Sequence, residues 1–133
     1  MAMEQAVMVA GVGCRGHAVA DDIVAAVDAA LSEHGLARGA LSGLAVLAGR
    51  AAFAAIREAA GRLGLPLSVA DAAALQRAAC GILTHSTHSQ RATGFGSASE
   101  AAALAVAGAG ARLLGPRVVT GPATCAIAIG DGA

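Results

Sequence analysis

The sequence predicts a single α/β domain over residues 1–133, three layers deep, with a mixed, mostly parallel sheet and helices on both faces. Three observations carry that expectation. Short, nearly unbroken apolar runs look like strands buried on both faces. Stretches with apolar residues at helical spacing follow them in alternation. Near the C-terminus, Gly121-Pro122 separates two strand-like runs as a hairpin turn would.

Taken in order, Ala6–Val12 reads as the first strand and Gly13–His17 as the loop after it. Ile23, Val27 and Leu31, with Val24 beside them, mark a helix that carries Asp21 and Asp22 in its first turn, at the positive end of its dipole. Gly35 supplies its stop. Leu44–Ala48 is the second strand, Gly49-Arg50 its turn, and Phe53, Ile56, Ala60 and Leu63 a second helical stripe. Gly64 ends that helix and Pro66 blocks its continuation. Leu67–Ala70 is a third strand, and Asp71 caps a helix reaching about Ala79.

Ile82–Gly96 breaks the alternation. A polar stretch of this length, without apolar periodicity, is uncommon inside a compact domain and often binds something. Ser97-Ala98-Ser99-Glu100 then reads as a capping box opening a helix to about Ala107. Leu113–Leu114, Arg117–Thr120 and Thr124–Ile129 read as the last strands.

Composition removes several function classes. Of 133 residues, 56% are hydrophobic and 14% charged, with formal net charge +0 and mean hydropathy +0.67, which is not a disordered chain. Without an excess of basic residues, no nucleic-acid partner is expected. The longest weakly polar stretch, Ala101–Ala111, is shorter than the ~20 residues of a spanning helix, and the N-terminus lacks the basic region of a secretory signal. Cys14, Cys80 and Cys125 form no CxxC pair and read as free thiols of a reducing compartment, with Cys80 and Cys125 in the core. A cytoplasmic protein without membrane attachment is the expectation.

Gly11-Val12-Gly13-Cys14-Arg15-Gly16 fits GxGxxG between a strand and a helix. Three readings stand side by side: a dinucleotide site, a plain tight turn, and a turn whose N–H groups receive some other anion. A dinucleotide site wants an acidic residue after the second strand, where the chain has Gly49-Arg50, so a nucleotide-binding module is the outsider. Cys14 is a candidate nucleophile at a helix start, with His17 as a nearby base. His85 and His88 are three apart in Ser/Thr-rich sequence without an evident third ligand, so no metal site is expected.

Five blocks carry a resemblance. Gly11-Val12-Gly13-Cys14-Arg15-Gly16, Arg62-Leu63-Gly64-Leu65-Pro66-Leu67, Gly96–Leu104, Gly110–Arg117 and Thr124–Ala128 together resemble the CobE/CbiG C-terminal domain family of cobalamin biosynthesis, and they do so in order along nearly the whole chain. One departure stands out: Arg50, followed by Ala51-Ala52-Phe53, replaces the Lys and acidic residues common there. A cation is kept, but not an amine that can lose its proton.

The resemblance implies a protein of corrin-ring assembly. In the fused form of the family, this domain ends a cobalt-precorrin-5A hydrolase that opens a lactone. The chain resembles the free-standing form, for which binding or carrying a polycarboxylate precorrin or corrinoid intermediate is the leading expectation. Lactone hydrolysis is the alternative, with Cys14, His17, His85 or His88 in acid–base roles. No cofactor is expected beyond the corrinoid ligand itself, and the partners expected are that small molecule and other cobalamin-biosynthesis enzymes.

Acetate and propionate arms around a broad apolar ring call for Arg forks, N–H groups and hydroxyls at a sheet's carboxyl edge. The candidate binding residues are therefore Gly13, Cys14, Arg15, Gly16, Arg50, Ser86, Thr87, Ser89, Arg91, Gly96 and Ser97.

Overall fold

The computed structural model describes residues 7–15, 17–47, 53–78, 81–84, 97–108 and 110–130. Its elements are β1 (Val7–Cys14), α1 (Ala20–Glu33), a 3₁₀ turn (Arg38–Ala40), β2 (Gly43–Leu47), α2 (Phe53–Leu63), β3 (Leu67–Ala70) and α3 (Ala72–Ala78). They continue with α4 (Ala98–Ala107), β4 (Arg112–Leu113), β5 (Val118–Thr120) and β6 (Ala123–Gly130). The sheet runs β3-β2-β1-β6-β4, and β5 also pairs with β6. β1, β2 and β3 are mutually parallel, with Val9 opposite Gly43 and Leu44 opposite Leu67. β6 lies antiparallel to β1 along its whole length, from Val7 opposite Gly130 to Cys14 opposite Ala123. The expected mixed α/β sheet is present, and its antiparallel part reaches inward to the central strand because β6 pairs with β1.

Successive strand side chains point to opposite faces, so β1 feeds two cores at once. Ala10, Val12 and Cys14 join Ile23, Val27 and Leu31 of α1, Ile56 of α2, and Leu44, Val46 and Ile127. Val9 joins the other core with Ala45, Leu47, Ala128, and Ala101, Ala102, Ala103 and Leu104 of α4. Helices thus cover both faces, α1 and α2 on one, α3 and α4 on the other.

The punctuation residues act as their chemistry dictates. Gly35 (φ 65°) and Gly64 (φ 69°) take the left-handed conformation that ends α1 and α2. The Leu36 N–H then donates to the Leu31 carbonyl at 2.8 Å, and the Leu65 N–H to that of Ala60 at 3.0 Å. Asp71 accepts from the Ala74 N–H at 2.8 Å and caps α3. Asp22 reaches back to the Val19 N–H at 2.9 Å at the start of α1. No helix among the described residues is long and apolar enough to cross a membrane.

Two local expectations are corrected. Gly11 and Gly13 do not form a turn; both lie inside β1, paired with Ala126 and Thr124 of β6. Their lack of a side chain serves packing instead. A Cβ at Gly11 would overlap the Ser99 carbonyl oxygen and come within 2.6 Å of the Ala103 nitrogen, so the α4 backbone rests on the strand there. Gly130 makes the same room beneath the Ala107 carbonyl. Cys14, correspondingly, ends a strand and is not in the first turn of α1, which opens at Ala20.

The second correction concerns the capping box. Ser97 does accept from the Glu100 N–H, at 3.4 Å, but the Glu100 side chain does not return to the Ser97 N–H. It points to other segments of the chain, as described next.

Candidate functional site at the carboxyl edge

Because β1, β2 and β3 are parallel, their carboxyl ends share one edge, and the chain leaves it at Arg15, after Leu47 and at Asp71. α4 runs antiparallel to β1: its first turn lies at Gly13, its last at Gly130. A Cβ at Gly13 would stand 3.6 Å from that of Ala98 and 3.7 Å from the Ser99 nitrogen. The N-terminus of α4 therefore meets the carboxyl end of β1, where ligands gather in open α/β sheets.

Arg15 is exposed there, and its N–H donates to the Pro122 carbonyl at 2.9 Å, which fastens the loop after β1 to the β5–β6 turn. His17 is exposed beside it. Cys14 is buried, with 8% of its surface accessible, and Gly13 lies under α4 with the Thr124 hydroxyl donating to its carbonyl at 3.4 Å. Ser97 is fully buried, its hydroxyl 3.5 Å from that of Ser99 and accepting from Glu100, so it is turned into the helix start. Of the other candidates, Gly16, Arg50, His85, Ser86, Thr87, His88, Ser89, Arg91 and Gly96 lie outside the described residues. Cys80 does as well, whereas Cys125 is a core thiol whose pKa burial pushes well above its ordinary value.

The residue that sequence reasoning passed over is Glu100. It is fully buried, yet its carboxylate accepts four hydrogen bonds from described residues. The N–H groups of Leu83 and Thr84 donate to Oε1 at 2.7 and 2.8 Å. The Thr84 hydroxyl and the Arg117 N–H donate to Oε2 at 2.6 and 2.8 Å. A buried charge is tolerable only when paired or hydrogen-bonded, and here both oxygens are. One carboxylate thus ties three chain segments together at the start of α4. A signal was available: Glu100 is the sole charged residue of an Ala-rich helix.

Two clefts lie among the described residues. One, of about 390 Å³, is lined by Ala18, Asp21, Ala54, Ala55, Glu58 and Arg62, between the start of α1 and the length of α2. Arg62 is already engaged there by Asp21 and by Glu58 (2.7 Å), and these acids, Asp21 foremost, push its pKa up. Two carboxylates to one guanidinium make that cleft a poor host for an anion. The other, of about 340 Å³, lies between α3 and the second half of α4, lined mainly by Ala74, Ala78, Leu104, Ala105 and Gly108. Since α4 runs antiparallel to β1, that groove lies away from the carboxyl edge. Both volumes are at the low end of the ~300–1,000 Å³ that encloses a drug-sized ligand.

Residues 8–128 match the family described as Cobalamin synthesis G C-terminus. Protein CobE from Sinorhizobium sp is 35% identical over 121 residues, covering 91% of this chain and 79% of that one. Among solved structures, CobE, described as a protein from the cobalamin (vitamin B12) biosynthetic pathway, superposes with a TM-score of 0.88 at 32% identity, over 97% of this chain and 94% of that one. The cobalamin biosynthesis protein chiG from Agrobacterium tumefaciens str. C58 superposes with a TM-score of 0.74 at 43% identity, over 93% and 98%. The resemblance read from five sequence blocks therefore holds, and this chain belongs to the Cobalamin synthesis G C-terminus family, as a protein of cobalamin biosynthesis.

Proposed function

We propose that the chain binds a polycarboxylate corrinoid intermediate at the carboxyl edge of β1–β3, as a carrier or accessory protein of the pathway. The observation that carries this reading is that exposed Arg15 and His17 follow β1 directly after Gly13, over which the N-terminus of α4 lies. A guanidinium fork and the positive end of a helix dipole both favour carboxylate arms. The stretch joining Thr84 to Ser97 in the sequence supplies further ligand groups in this proposal: Ser86, Thr87, Ser89, Arg91 and Gly96, together with Gly16 and Arg50, which follow β1 and β2 in the sequence. Ser97 contributes by holding the helix start, given its buried hydroxyl. Handover to other enzymes of the pathway belongs to the same proposal.

No observation favours lactone hydrolysis by Cys14, whose thiol is nearly buried. The two chemistries separate in one experiment: titration with hydrogenobyrinic acid, followed by visible absorbance and gel filtration. A carrier coelutes with a ring whose chromophore is unchanged on release. A chromophore altered by turnover would replace the carrier reading with an enzymatic one, and failure to coelute would remove both.

A further inference from the structure

We infer that Glu100 is a positioning residue for the ligand edge. This rests on the corrinoid-binding proposal above and extends it to a residue that touches no ligand. Its carboxylate holds Leu83 and Thr84 from one side and Arg117 from another, while its own N–H is bound by Ser97. Thr84 and Ser97 flank residues 85–96 in the sequence, and Glu100 holds both of these flanking positions, Thr84 through its carboxylate and Ser97 through its N–H. Arg117 precedes β5, whose turn into β6 carries the Pro122 carbonyl that receives the Arg15 N–H. The same carboxylate is therefore linked, through β5 and its turn, to the loop that presents Arg15. All four bonds come from donors on other segments, and three are backbone N–H groups, so they fix chain position and not merely a rotamer. Buried networks of this kind hold a geometry only while every member is satisfied.

Substituting an amide is the direct probe, because Glu100→Gln keeps the shape but turns a donor toward N–H donors. Glu100→Gln is expected to remain folded with a lowered Tm and to bind hydrogenobyrinic acid about tenfold more weakly. Backbone amides of Leu83, Thr84 and Arg117 should lose hydrogen-exchange protection, while those of β1 keep it. Thr84→Val removes only the hydroxyl donor and should weaken binding about threefold, which keeps the test open if the amide variant fails to fold. Ile23→Val, a core truncation on the opposite face, serves as the control of lowered stability and should bind normally. Wild-type affinity in the folded Glu100→Gln protein, or in Thr84→Val should the amide variant not fold, overturns the inference. So does a loss in Ile23→Val that tracks Tm as closely as theirs. Absence of wild-type binding is a different failure: it removes the corrinoid reading and this extension with it.

Discussion

The two faces of the sheet are built on opposite packing solutions. Under α1 and α2, volume fills the space: Ile23, Val27, Leu31, Leu44, Val46, Ile56 and Ile127 interlock as branched side chains. Under α4 the space itself is removed. Ala101, Ala102, Ala103 and Ala107 lie over a sheet that offers Gly11 and Gly130, so helix and strand backbones approach directly. The first arrangement tolerates small losses by relaxing, as apolar cores do. The second fixes the helix in register and brings its N-terminus, with buried Ser97, Ser99 and Glu100, to the carboxyl end of β1. One face supplies stability and the other supplies position.

That contrast is easiest to break at Gly11. Gly11→Val places branched carbon against the backbone of α4 and the Ala103 Cβ, none of which can swing aside, and it should abolish cooperative folding in urea, a cost beyond the ~3 kcal/mol of ordinary overpacking. A two-state melt near that of wild type would show that α4 can lift without consequence. On the other face, Ile23→Ala should cost about 2–5 kcal/mol in the same denaturation series and leave ligand affinity unchanged. Gly13→Ala meets α4 more gently, because its added carbon stands 3.1 Å from the Thr124 hydroxyl and no backbone is comparably close; a change within about 1 kcal/mol is expected. Arg15→Ala should leave stability within about 0.5 kcal/mol, as exposed substitutions do, while weakening hydrogenobyrinic acid binding measurably.

The smallest effect is electrostatic. Arg38 grips Asp28 with bonds of 2.8 and 2.7 Å and holds its carboxyl below the ordinary pKa. A depressed carboxylate contributes stability above its unfolded pKa and loses it as pH falls through the folded one, so the contribution fades from about pH 4 downward. Both side chains are about half exposed, and salt screens them. Arg38→Ala should therefore lower Tm slightly at neutral pH and low salt, with the difference closing in acid and in high salt.

Most of the fold was legible because its signals are local. Gly35, Gly64 with Pro66, and Asp71 each act on neighbouring backbone, and the helix and strand limits follow them within a residue or two. The glycines of β1 misled because a missing side chain has two physical uses. Gly11 permits a neighbour 88 positions away (Ser99) to come close, which nothing beside it in the chain announces. Glu100 misled for the same reason: Ser97 and Glu100 have capping-box spacing, yet the partners of the carboxylate are mainly backbone N–H groups, which carry no residue identity. The pairing of β6 with β1 is likewise a long-range outcome of which apolar run fits beside which. Site chemistry was visible as residue types at the edge, whereas the division between exposed Arg15 and buried Cys14 and Ser97 came only from packing.

Amide chemical-shift mapping during titration with hydrogenobyrinic acid locates the ligand on the fold. Binding at the carboxyl edge should perturb Arg15, His17, Thr84 and Ala98 and leave Arg77 and Gly108, at the opposite groove, unmoved. Shifts confined to that groove, or none while the protein stays folded, would rule that edge out as the binding site.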